Sequence, residues 1–181
     1  MAFGRPRKLF TEPELYEYAI GALARRSRSV AELKRLLRNR VEADTDFGKT
    51  LVELIIVRLK DQGYLNDARY AAAYSSYRRE TEKFGRMRVV TDLKAKGVHG
   101  DVIAKAVASV YDEVKEEDLA RAYLKRKRLQ KPGDQKQAAR IFRNLMHAGF
   151  GSKTIFTILK KWDVDEETLT ELEAVVPDNQ S

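Results

Sequence analysis

Cysteine is absent from this 181-residue chain, and histidine occurs only twice, as His99 and His147. Without thiols, a disulfide framework, an iron–sulfur site and a cysteine nucleophile are excluded, and two histidines alone leave no ligand set for a zinc finger. Long apolar runs are missing as well. Leu54-Ile55-Ile56-Val57 and Ala71-Ala72-Ala73 are typical, far short of the roughly 20 residues a bilayer-spanning helix needs. Arg5, Arg7 and Lys8 are followed by no apolar stretch, so no secretory signal is expected. The expectation is a soluble cytoplasmic protein without a membrane partner. Strict alternation with β-branched residues never lasts beyond three or four positions, so strands are not expected. Proline is scarce, at positions 6, 13, 132 and 177, and most of the ten glycines fall between periodic segments. Long stretches are therefore free to be helical.

What is abundant is charge. Lys and Arg number 35 against 27 Asp and Glu, a net of +8. The distribution is more lopsided than that sum. Seven acidic residues and no basic one lie between Asp163 and Ser181, so residues 1–162 carry 35 basic against 20 acidic groups, a net of +15. A body this basic attracts polyanions, nucleic acid above all, or an acidic protein surface. The acidic end reads as a solubilising tail or as a tether competing for the basic surface.

Helix signals follow one another closely. Thr11-Glu12-Pro13-Glu14 opens a first helix, with Leu15, Tyr18, Ala19, Ala22 and Leu23 at helical spacing. Ser29-Val30-Ala31-Glu32 is a capping box before Leu33, Leu36 and Leu37. A third helix, carrying Leu51, Leu54, Ile55 and Leu59, is expected to stop at Gly63. Asn66 or Asp67 then caps a helix with Tyr70, Tyr74 and Tyr77, and Leu65 is placed to staple against Tyr70. Helices are further expected over about 86–96, 101–114, 116–130, 134–148 and 151–162.

The register repeats. Leu93-x3-Gly97-Val98-x3-Val102-Ile103 matches Leu145-x3-Gly149-Phe150-x3-Thr154-Ile155 at an offset of 52 residues. A dibasic pair closes the first helix of each unit, at Arg25-Arg26, Arg78-Arg79 and Arg126-Lys127, six positions after Ala19, Ala72 and Ala120. The predicted fold is all-α, three tandem three-helix repeats stacked in an elongated array. The repeats span 13–65, 66–115 and 116–162, between a basic arm at 1–12 and an acidic tail at 163–181.

The segment Gly63-Tyr64-Leu65-Asn66-Asp67-Ala68-Arg69-Tyr70-Ala71, with Arg86, Arg88 and Leu93-Lys94-Ala95-Lys96-Gly97-Val98 downstream, resembles the middle repeat of the RecX family of bacterial recombination regulators. Ala22-Leu23-Ala24-Arg25-Arg26-Ser27-Arg28-Ser29-x2-Glu32-Leu33 resembles that family's first repeat, and the likeness covers about residues 13–162. The third repeat matches more loosely. The resemblance implies a curved array and a non-enzymatic modulator, mainly an inhibitor, of the RecA recombinase. It would lie in the groove of RecA filaments on single-stranded DNA, limiting extension or promoting disassembly, and so act on recombination, repair and the SOS response. Some members of that family also bind DNA weakly on their own; no cofactor and no metal are expected here, and the chain is expected to be a monomer.

Arg69 is placed to face a partner or to pair with Asp67 or Asp92. Arg78 and Arg79 end one helix and Arg86 and Arg88 begin the next, so the four should lie near one edge, with Lys94 and Lys96 extending it. Lys125, Arg126, Lys127, Arg128 and Lys131 form the densest basic run, joined by Arg140 and Arg143 on one helix face. With Arg25 and Arg26 these are the candidate contacts to filament or DNA, since phosphate binding needs only positive groups of suitable reach. Four consecutive basic residues on a helix spread over most of its circumference, so they cannot all share one surface. Replacing Arg78 with Arg79, or Arg126 with Lys127, by alanine is expected to weaken inhibition and spare helicity.

Tyr70, Tyr74 and Tyr77 are spaced as a core stripe rather than as stacking platforms, and Trp162 is expected to close the last unit's core. No Walker A loop, HExxH or nucleophile elbow occurs, and Glu116-Glu117 and Glu166-Glu167 diverge on a helix, so no enzyme is expected. The alternative reading is a stand-alone DNA-binding protein of three-helix modules. A structural adaptor with incidental charge is a third.

Overall fold

The computed structural model describes residues 8, 11–42 and 45–174. The basic arm other than Lys8, Thr11 and Glu12 lies outside them, as does the end of the tail. Among the described residues there are ten α-helices and no strand: α1 (Glu12–Arg25), α2 (Val30–Arg38), α3 (Asp46–Asp61), α4 (Asp67–Tyr77), α5 (Arg86–Ala95), α6 (Gly100–Tyr111), α7 (Glu116–Arg126), α8 (Gln135–His147), α9 (Ser152–Lys161) and α10 (Glu166–Ala174). One π-helical turn, Arg78–Glu82, follows α4. The all-α, three-by-three reading holds.

The chain forms two compact units, Met1–Ala71 with Leu93–Ile103, and Ala72–Asp92 with Ala104–Ser181. In the first, α1, α2 and α3 pack on one another. Leu15, Leu33, Leu37, Ile55 and Leu59 have no exposed surface, which stabilises by roughly 1.5–3 kcal/mol for each fully buried side chain. Thr11 caps α1 through the Glu14 amide. At α2 both halves of the capping box form, the Glu32 amide donating to Ser29 Oγ at 3.0 Å and the Ser29 amide to Glu32 Oε2 at 3.1 Å. Asn66 caps α4, accepting from the Arg69 amide at 2.9 Å, while Asp67 accepts from the Val30 amide at 2.8 Å. Leu65 and Tyr70, the expected staple pair, are both buried.

In the second unit α7 and α8 pack on α9, and α10 packs on α8. The segment read only as an acidic tail thus contains a helix that buries Leu169 and Leu172. Its apolar residues are too few to outweigh the charge in a composition argument, yet they share one face. Tyr77 departs from the core-stripe expectation, being 53% exposed: the helical register carries it past the packed side of α4.

Five helices stop in one way. After α3, α5, α7, α8 and α9 the chain passes through a left-handed residue, and the next amide reaches back five residues: Tyr64 to Leu59, Val98 to Leu93, Leu129 to Leu124, Phe150 to Leu145 and Val164 to Leu159, all at 2.9–3.2 Å. The left-handed residue is glycine at 63, 97 and 149, but Arg128 after α7 and Asp163 after α9. The stop at Arg128 escaped the sequence reading, which ran the helix beginning at Glu116 on to about Gln130, whereas α9 ends where the helix expected over about 151–162 does.

Gly85 and Gly149 answer a different need. The Gly85 amide donates to the Ala148 carbonyl at 2.8 Å and the Met87 amide to the Gly149 carbonyl at 3.2 Å. A Cβ at Gly149 would stand 2.2 Å from the Arg88 nitrogen, and one at Gly85 would stand 2.2 Å from the Gly149 oxygen. The start of α5 is docked backbone to backbone on the end of α8.

Candidate polyanion-binding surface

The π turn after α4 decides where the central arginines point. Its last residue, Glu82, is followed by left-handed Lys83, φ 58°, and the Phe84 amide closes back on the Arg78 carbonyl at 3.1 Å. Arg78 and Arg88 then meet on Asp92. Arg78 Nε donates to the Tyr74 hydroxyl at 2.8 Å, that hydroxyl donates to Asp92 Oδ2 at 2.9 Å, and Arg88 Nε donates to Asp92 Oδ1 at 3.1 Å. Both guanidinium groups flank the Phe84 ring, at 5.4 and 5.6 Å from its centre. Burial works against the Arg78 charge, but the Tyr74 hydroxyl and the Asp92 and Glu82 charges outweigh it and hold its pKa above the ordinary arginine value. Burial likewise pushes the Tyr74 phenol up.

Arg79 and Arg86 serve the end of α6 instead. Arg79 donates to the Val110 carbonyl at 2.7 Å and Arg86 to Asp112 at 2.8 Å. The four arginines expected along one edge are therefore sorted into two pairs with different partners. Beside Arg79, burial pushes the Tyr111 phenol up to about 12, and its hydroxyl donates to the Phe84 carbonyl at 2.9 Å.

Other candidates are also committed. Arg126 pairs with Glu82 at 2.8 Å and Lys131 with Asp163 at 2.7 Å. Lys96 pairs with Glu32 at 3.2 Å, and Arg26 approaches the same carboxylate at 3.9 Å. Arg69 takes neither expected aspartate. Its guanidinium donates to the Gly63 carbonyl at 2.8 Å, across the α3 stop, and Asp67 accepts from the Val30 amide instead. Lys127 lies 5.9 Å from the Tyr123 ring centre.

Arg25, Lys94, Lys125, Arg128, Arg140 and Arg143 remain. All are exposed, and among the described residues none has an ion pair or hydrogen bond through its side chain. These carry positive charge that the fold does not spend on itself. Phosphate oxygens are the natural complement, held without base readout. Of the candidates in the first unit, Arg25 and Lys94 are of this kind; the other four belong to the second unit.

A second feature was missed in the sequence. An open groove of about 530 Å³ in the second unit is lined by Arg121, Leu124, Lys125, Arg128, Leu129, Gln130 and Trp162. Trp162, expected to close a core, is only partly buried. It sits at the cap of α9, one residue before left-handed Asp163, which leaves part of its ring at the groove. Among the described residues no group of three or more His, Asp or Glu is placed to hold a metal, and no helix is long and apolar enough to cross a membrane.

Fold and surface together define a helical protein of repeated three-helix modules with unspent cationic charge. Comparison with known proteins narrows this class. A family model described as "RecX, second three-helix domain" matches residues 66–107, from α4 into α6. The chain is 34% identical over 169 residues to a Regulatory protein RecX of Myxococcus xanthus (strain DK1622), covering 87% of both chains. It is 32% identical over 149 residues to one of Leptothrix cholodnii (strain ATCC 51168 / LMG 8142 / SP-6), covering 82% of this chain and 89% of that one. The crystal structure of RecX from Lactobacillus salivarius shares its fold, with a TM-score of 0.67 at 21% identity over 84% of this chain and 96% of that one. The chain belongs to the RecX family of regulatory proteins.

Proposed function

We propose that this protein regulates a RecA recombinase without catalysing a reaction of its own. It binds the groove of RecA filaments on single-stranded DNA as a monomer in the cytoplasm, limits their extension or promotes their disassembly, and so regulates recombination, DNA repair and the SOS response. The observation that carries the reading is the match to proteins named Regulatory protein RecX over more than four fifths of the chain. The unspent cations support it, since a filament on DNA presents phosphates and carboxylates together. Linked modules that each bind weakly gain avidity when they engage neighbouring protomers.

The test is single-strand-dependent ATP hydrolysis by RecA, titrated with this protein, alongside its direct DNA affinity at two salt concentrations. Inhibition well below one molecule per RecA protomer, with weak direct DNA binding, is the expected result. No inhibition, with tight duplex binding that collapses in salt, would replace this reading with a stand-alone DNA-binding protein.

A further inference from the structure

Arg128 stands at a helix stop that elsewhere in the fold takes glycine or aspartate. It holds φ 55° at a helix stop where α3, α5 and α8 use glycine, at a cost of roughly 1–2 kcal/mol for a residue with a Cβ. Asp163 shares the conformation, but a short polar side chain tolerates it and its carboxylate receives Lys131 at 2.7 Å. The left-handed turn at Arg128 lets the Leu129 amide close on the Leu124 carbonyl at 2.9 Å, while its side chain, by contrast, makes no hydrogen bond or ion pair among the described residues.

The groove described above supplies a ligand's outline. Its floor is apolar, from Leu124 and Leu129, with the Trp162 indole beside them, and its rim carries Arg128 and Lys125. Arg121, also on the rim, is drawn back by Glu117 at 2.8 Å. A flat indole next to apolar side chains takes a flat ring, and two unspent cations at the rim take the anionic groups attached to it. A nucleobase between backbone phosphates has this combination of charges and shape. In a duplex the bases are stacked on one another and offer no free face, so the site favours unpaired strands.

We propose that the groove between the end of α7 and Trp162 is a subsite for single-stranded nucleic acid, in which a base stacks on Trp162 and the flanking phosphates are held by Lys125 and Arg128. The site deepens the direct DNA contact included in the family reading and needs no RecA.

Trp162 is the sole tryptophan of the chain, so its fluorescence reports on this site alone. The full chain is titrated with oligothymidylate, and in parallel with inorganic polyphosphate and with a DNA duplex of matched charge. Saturable quenching by oligothymidylate, and little by the other two, is expected. Arg128→Gly should weaken that binding about five-fold or more while folding at least as well, since glycine relieves the backbone. Trp162→Leu, followed by anisotropy of a labelled oligonucleotide, should lose about five-fold or more, and unchanged affinity there overturns the stacking. Absence of quenching, equal quenching by polyphosphate or duplex, or unchanged affinity in Arg128→Gly overturns the subsite. Because RecA is absent throughout, the RecA-regulator reading is tested separately by the ATPase titration and can stand or fall independently.

Discussion

At the scale of single residues, Glu32 shows how one side chain acquires several tasks. Its carboxylate completes the α2 capping box, receives Lys96 at 3.2 Å and accepts from the Tyr70 hydroxyl at 3.2 Å. Burial raises its pKa, but the Ser29 amide, Lys96 and Tyr70 outweigh burial and hold it below the ordinary glutamate value. A carboxyl whose pKa is lower folded than unfolded contributes stability above the unfolded value, about 4.3, and loses it as pH falls through the folded value. Unfolding by urea across pH 7 to 3 should therefore show a fall in stability below about pH 4.3 that is shallower in Glu32→Gln. An equal fall in both proteins would assign the acid sensitivity elsewhere. The capping box was legible in the sequence because it is local, spanning Ser29 to Glu32. The Lys96 and Tyr70 partners were not, since they arrive from 64 and 38 residues away.

At the scale of elements, the helix stops separate two roles of glycine. Gly63 and Gly149 both have positive φ, 74° and 87°, and the sequence offered no reason to rank them. The surroundings do. A Cβ at Gly63 meets nothing within 4 Å, whereas at Gly149 it meets the α5 backbone at 2.2 Å. Gly63→Ala should cost about 1 kcal/mol from the backbone alone. Gly149→Ala should cost of order 3 kcal/mol or more, because backbone on both sides must separate. Thermal unfolding of the two variants under identical conditions checks the ranking, and similar losses would mean that the α5–α8 docking yields easily. Arg128 illustrates the converse, a stop without glycine that becomes visible only from the Leu129 amide closing on the Leu124 carbonyl.

At the scale of the whole molecule, the question is which charges are available to a partner. Composition established a strongly basic body, but Arg78, Arg79, Arg86, Arg88 and Arg126 are engaged by Asp92, Val110, Asp112 and Glu82. Arg78→Ala with Arg79→Ala, which the sequence alone expects to spare helicity, removes one of the two guanidinium groups on Asp92 and the one on the Val110 carbonyl. It should destabilise by roughly 1–3 kcal/mol. Lys125→Ala with Arg140→Ala and Arg143→Ala should change stability by no more than about 0.5 kcal/mol, yet weaken binding to single-stranded DNA and reduce its salt slope by up to about 2. Unfolding midpoints and salt-titrated DNA binding of both variants distinguish structural from available cations. Stable protein after the Arg78 and Arg79 changes, with lost binding, would reverse the assignment.

The sequence by itself determined the helical class, the capping residues, the glycine stops, the three-helix periodicity and the basic excess. Each depends on neighbours within a few positions or on composition, so no tertiary knowledge is needed to read it. Only the tertiary structure decided which arginines the fold uses and which it leaves free, that Leu169 and Leu172 draw part of the acidic end into a helix, and that Trp162 borders a groove instead of closing a core. Those outcomes depend on groups distant in sequence meeting one partner: Asp92 takes both Arg78 and Arg88, and Glu82 takes Arg126.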